Sequence, residues 1–114
     1  MTAMTIDAAT FAELQATTGA DFVVELVDTF AEEAPQMLAE IRAAHATADA
    51  ERFRRASHSL KSNSNTFGAV RLAEMARTLE LGGLPSPAEG RVQLDAVAAE
   101  LDAALAALQA LARG

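Results

Sequence analysis

The chain has 114 residues, enough for one domain with a modest core. Nine basic against sixteen acidic residues give a net charge of −7, which argues against nucleic acid, because phosphate binding wants a basic surface. With no cysteine there is neither a disulfide framework nor thiolate chemistry. Apolar residues make up 51% of the chain, much of it alanine. The wealth of Ala, Leu, Glu and Arg points to an all-helical protein. The start, Met1-Thr2-Ala3-Met4-Thr5, lacks the basic and apolar regions of a signal peptide. The most apolar tract, Val92 to Ala112, is broken by Asp95, Glu100 and Asp102, so no membrane span is expected. A soluble, cytoplasmic domain is the expectation.

In chain order, Asp7 can cap a short helix running to about Thr17, with Phe11 and Leu14 inward. Thr18-Gly19-Ala20 ends it and Asp21 is expected to cap the next. That second helix carries Phe22, Val23, Leu26, Val27, Phe30, Ala34, Met37, Leu38 and Ile41 at helical spacing. The stripe stays in phase beyond Pro35, which predicts a kink rather than a stop. Ala46-Thr47-Ala48 reads as a turn, with Asp49 capping a third helix. Gly68 follows that helix as the residue able to turn left-handed. A fourth helix is expected from about Ala69 to Leu81, with Leu72, Met75, Ala76 and Leu79 inward. Gly82 to Pro87 forms a loop. A last helix runs from about Ala88 or Gly90 to Ala112. Its Leu94, Val97, Leu101, Ala104, Leu108 and Leu111 make a seam suited to packing within one bundle, so a monomer is expected. Four long helices with short connections predict an antiparallel four-helix bundle, with the short first helix over one end.

The third helix carries the chemistry. At about 100° per residue, Phe53, Leu60, Ser64 and Phe67 form a buried stripe, with Ala56 and Ser57 beside it. His58 then points roughly 160° from Leu60, toward solvent. Arg54 and Arg55 lie one turn before it, Lys61 and Ser62 one turn after. The run Ser62-Asn63-Ser64-Asn65-Thr66 is poor helix-forming material inside a helical stretch. Such local inconsistency marks functional sites. An exposed imidazole ringed by cations and small polar groups suits a nucleophile that holds a phosphoryl group within a partner's reach.

These residues resemble the signature of histidine-containing phosphotransfer (HPt) domains. The match runs through His58, Leu60, Lys61, Ser62 and the pair Phe67-Gly68, with Phe30-Ala31-Glu32-Glu33-Ala34-Pro35 upstream and Leu79-Glu80 downstream. It covers nearly the whole chain, as a single HPt-like domain over residues 1–114. One position departs, since the family most often has glycine where this chain has Ser62. The resemblance implies a carrier that relays a phosphoryl group between receiver-domain aspartates, or from a histidine kinase, through His58. It assigns Lys61 to neutralising the transferred group and implies a response regulator receiver domain and a histidine kinase or hybrid kinase as partners. Arg54, Arg55, Ser62 and Asn65 would lie near the phosphate or the partner, while Leu60, Phe67 and Gly68 would be structural. No cofactor is expected in the chain itself, magnesium belonging to the receiver. The rival within this reading is an adaptor that keeps the docking surface and has lost the chemistry.

The neighbouring cations should favour neutral imidazole, whose lone pair, by family analogy on Nε2, attacks an acyl phosphate. An open convex site excludes no water, so the chain is expected to be a carrier, its partner supplying the catalytic pocket rather than itself being an enzyme. A metal-binding bundle would need Glu-x-x-His pairs, but Arg55 precedes His58 and Arg42 precedes His45 at that spacing. No acidic residue stands one turn from His58 to orient its ring, which disfavours a hydrolase. His45, on an Ala-rich helix end, reads as a bystander.

Overall fold

The computed structural model describes residues 5–114, so the Met1–Met4 part of the opening segment lies outside it. Five helices account for the described residues: α1 (Ala8–Thr18), α2 (Ala20–Ala46), α3 (Ala50–Thr66), α4 (Val70–Gly82) and α5 (Pro87–Arg113). No strand occurs among the described residues. The caps explain most of the boundaries. Asp7 accepts from the Ala9 amide, Asp49 from the Arg52 amide and Ser86 from the Glu89 amide, each satisfying a helix N–H that has no partner within its own helix. Pro87 follows Ser86 at the first helical position, where its missing N–H costs nothing. The α1–α2 junction and the α4–α5 loop differ from expectation, the loop being residues 83–86 because α4 takes in Gly82 and α5 begins at Pro87. Gly19, at φ 96°, closes α1 and opens α2, which leaves Asp21 in the first turn instead of at the cap. There its carboxylate faces the positive helix end. α2 runs on through Pro35 for 27 residues, and its buried face continues through Leu38 and Ile41.

Helices α2, α3, α4 and α5 form a ring in which each packs against the next and α5 closes onto α2. Ion pairs give the register. Arg42 meets Asp95 and Asp28 meets Arg113, so α2 and α5 run antiparallel. Arg71 meets Glu100 between α4 and α5. Phe30 of α2 stacks on Phe67 at the end of α3, with ring centroids 4.8 Å apart. The core comprises Val23, Val27, Ile41, Phe53, Leu60, Leu72, Leu94, Val97, Leu101 and Leu108 among others. Two side chains assigned to apolar stripes lie outside it, Phe22 at 50% exposure and Leu111 at 41%. Phe22 sits about 100° around the helix from Val23, and the row that reaches the centre is the narrower one of Val23, Val27, Phe30, Ala34, Leu38, Ile41 and Ala44.

α1 is fastened to the α3–α4 turn. The Asp7 amide donates to the Gly68 carbonyl at 2.7 Å. Gly68 has φ +79°, and a Cβ there would lie 2.9 Å from the Asp7 carbonyl oxygen and 3.1 Å from Thr10 Cβ. The position needs glycine twice over, for its left-handed backbone and for its clearance. It fixes where α3 ends and α4 begins, and hence how those two helices align beside His58.

Candidate functional site

The polar run of α3 keeps its helix by turning side chains onto its own backbone. Asn63 Nδ2 donates to the Ser59 carbonyl at 2.8 Å, Ser64 Oγ to that of Leu60 at 2.6 Å and Thr66 Oγ1 to that of Ser62 at 3.1 Å. These are bonds to carbonyls one turn back, the pattern by which Ser and Thr are accommodated inside helices. Small side chains on the buried face, Ser57 and Ser64 with no exposure, leave α3 close to its neighbours. The Ser57 hydroxyl has no hydrogen-bond partner there.

His58 projects from the opposite face with its side chain 55% exposed. Its Nδ1 lies 2.8 Å from Glu80 Oε2, across the α3–α4 boundary. The Lys61 Nζ lies 2.7 Å from the other oxygen, Oε1. One carboxylate therefore joins the imidazole and the ammonium. Hydrogen bonding from Lys61 is the main cause that lowers the Glu80 pKa below its ordinary value; burial opposes it and the His58 contact adds to it. A carboxylate held ionised can only accept, so Nδ1 carries the proton it donates. In the neutral ring the lone pair is then on Nε2. Among the described residues nothing hydrogen-bonds Nε2, and the ring is fixed with that atom outward.

A groove on each side flanks this ridge. Between α2 and α3 the lining is Glu33, Gln36, Met37, Glu40, Ala56 and Ser59. Between α3 and α4 it includes Lys61, Asn65, Glu74 and Arg77. A family model for the Hpt domain matches residues 25–111, most of the length of the chain. The chain belongs to the Hpt domain family. Histidine phosphotransfer in phosphorelays is the function that goes with it. The crystal structure of histidine-containing phosphotransfer protein B (HptB) from Pseudomonas aeruginosa PAO1 is similar to this Hpt domain. The TM-score is 0.71 and the identity 29%, over 98% of this chain and 94% of that one. Among curated proteins no relative matches. No helix among the described residues is long and apolar enough to cross a membrane.

Within this Hpt domain the expected residues fall into four groups. His58 and Lys61 are brought together by Glu80. Leu60 and Phe67 are buried, and Gly68 makes the turn. Arg54 and Arg55 are drawn one turn backward, to Glu51 at 2.8 and 3.8 Å, so their charges are partly answered before they reach the imidazole. Ser62 and Asn65 are exposed, Asn65 in the α3–α4 groove. No acid stands one turn from His58 along α3, as expected, but Glu80 orients the ring from α4. Spacing along one helix cannot reveal a partner on another. The available signal was the carboxylate following inward Leu79, in the downstream pair that carried the resemblance. His45 takes no part in this cluster but has a structural contact. Its Nε2 contacts the carbonyls of Pro85 and Ser86 at 3.2 and 3.3 Å, holding the loop that leads into α5.

Proposed function

We propose that His58 is the phosphorylated residue and that the protein passes the phosphoryl group between receiver-domain aspartates or accepts it from a histidine kinase. The observation that supports this reading is the Glu80–His58 hydrogen bond, which leaves Nε2 as the outward lone pair. Nε2 attacks the phosphorus of an aspartyl phosphate, the N–P bond forms as the acyl O–P bond breaks, and the carboxylate leaves. The ring gains positive charge as it attacks, and Glu80, already bound to Nδ1–H, stabilises that charge where it develops. Lys61 shares that carboxylate and supplies the ammonium for the equatorial oxygens of the transferring group. Ser62, one turn from the ring, is small enough to let a receiver's loops approach. Both grooves beside His58 are open to solvent, and we read the chain as a carrier whose partner provides the catalytic aspartate and any magnesium. We read the chain as a monomer acting in the cytoplasm.

The test is incubation with phosphorylated receivers and kinases, scoring acid-labile label. His58→Gln should carry no label while keeping wild-type helicity and melting temperature, because the ring is exposed. Label persisting on that variant would show that the wrong residue has been chosen.

A further inference from the structure

Charges around the His58 ridge divide into those already held by a neighbour and those left free. Among the described residues Arg54 and Arg55 share Glu51, Arg52 holds Glu40, and Lys61 holds Glu80. Glu33 on α2 and Arg77 on α4 have no opposite charge within ion-pair distance among the described residues. Both are exposed. Glu33 lines one α2–α3 groove with Ser59 and a second with Asn63, which sets it across from the His58 stretch. Arg77 lines the α3–α4 groove with Lys61 and stands one turn before Glu80. Glu74 lies in that groove too, but about 4.5 Å further from the Glu80 level along α4. It therefore faces the Asn65 end rather than the imidazole.

We propose that Glu33 and Arg77 form a two-signed docking frame across His58 that fixes the orientation of an incoming receiver domain. The fitting receiver presents a basic side chain to α2 and an acidic one to α4. This rests on the carrier reading and adds to it the partner's polarity. Turned half around on the ridge, the same receiver would bring like charges together at both flanks. Charges at an interface rim act mainly on association rate and on rejecting wrong partners. A phosphoryl group can pass only in the in-line arrangement, so orientation is what such a rim can usefully control.

The experiment takes a receiver found to phosphorylate the wild-type protein in a screen of purified receivers. Steady-state transfer is then measured for Glu33→Lys, Arg77→Glu, Glu33→Asp, Arg77→Lys and, as a control with the same net-charge change as Glu33→Lys, Asp102→Lys at an exposed position of α5. Both reversals should raise KM for the receiver on the order of tenfold, which corresponds to about 1.4 kcal/mol, with kcat little changed. The increase should shrink in about 0.5 M salt. The charge-keeping variants and Asp102→Lys should stay near wild type. The frame is overturned if Asp102→Lys matches Glu33→Lys, since net charge alone would then act, or if either reversal leaves KM unmoved. If no receiver labels the wild-type protein, the carrier reading itself fails and takes the frame with it.

Discussion

A carboxylate that accepts from an imidazole and an ammonium at once responds to pH in one direction. The Glu80 pKa is lowered in the fold, chiefly by Lys61, so its contribution to stability is complete above the ordinary carboxylate value and disappears as pH falls through the lowered one. Glu80→Gln keeps an acceptor but loses the charge. Urea unfolding should find this variant less stable than wild type at neutral pH, with the gap narrowing in buffers below about 4.5, the ordinary value from which Glu80 is lowered. A gap that widened in acid would mean that the carboxylate is not held ionised by these two partners. The same variant should accept phosphate more slowly than wild type, since its amide cannot stabilise the charge that develops on the ring.

At the scale of elements, the start of α5 is set by a side chain from α2. The His45 ring fills the space beside Gly90, where a Cβ would lie 2.2 Å from Nε2. Alanine is the better helix former by about 1 kcal/mol, yet here it must displace the ring and break its contacts to Pro85 and Ser86. Forced crowding of this kind costs about 1–3 kcal/mol. Gly90→Ala should therefore lower the melting temperature, whereas in a His45→Ala background the same change should raise it. A double-mutant cycle measures the reversal, and simple additivity would count against the latch. This contact also marks the limit of what local pattern discloses. Helix phases, the caps Asp7 and Asp49 and the outward face of His58 follow from spacing and propensity, because neighbours in sequence determine them. Gly90 inside a helical run and His45 at a helix end have their reason in each other, 45 residues apart. Glu80 is the same case at the site, and Phe22 the converse, an apolar residue on an apolar helix that no other element covers.

For the whole molecule, the orientation of the proposed nucleophile is a property of the bundle. His58 lies on α3, the carboxylate that selects its tautomer lies on α4, and Gly68, pinned by α1, aligns the two. Nitrogen chemical shifts of 15N-labelled His58 should report the Nδ1–H form in the folded protein. In urea they should move toward the tautomer mixture of a free imidazole, in step with the loss of helicity. A folded protein already showing that mixture would remove the role given to Glu80. Opposite ends of α2 and α5 are tied by Arg42–Asp95 and Arg113–Asp28, both well exposed. Pairs of that kind contribute at most about 1 kcal/mol each and weaken in salt. Cohesion therefore rests on the apolar core and survives the ionic strengths at which docking would be weakened.

That division of labour between helices has a consequence for signalling fidelity. A molecule whose α4 has come away from α3 still displays every residue of the α3 motif, but its imidazole is free to spin and to protonate on either nitrogen. It has also lost the partner that neutralised Lys61. On the proposed role of His58, such a copy should be a poor acceptor, and its relay should fall quiet instead of leaking phosphate through a faulty member. The Glu80 contact would then serve equally as a credential, presented only by chains that have finished folding.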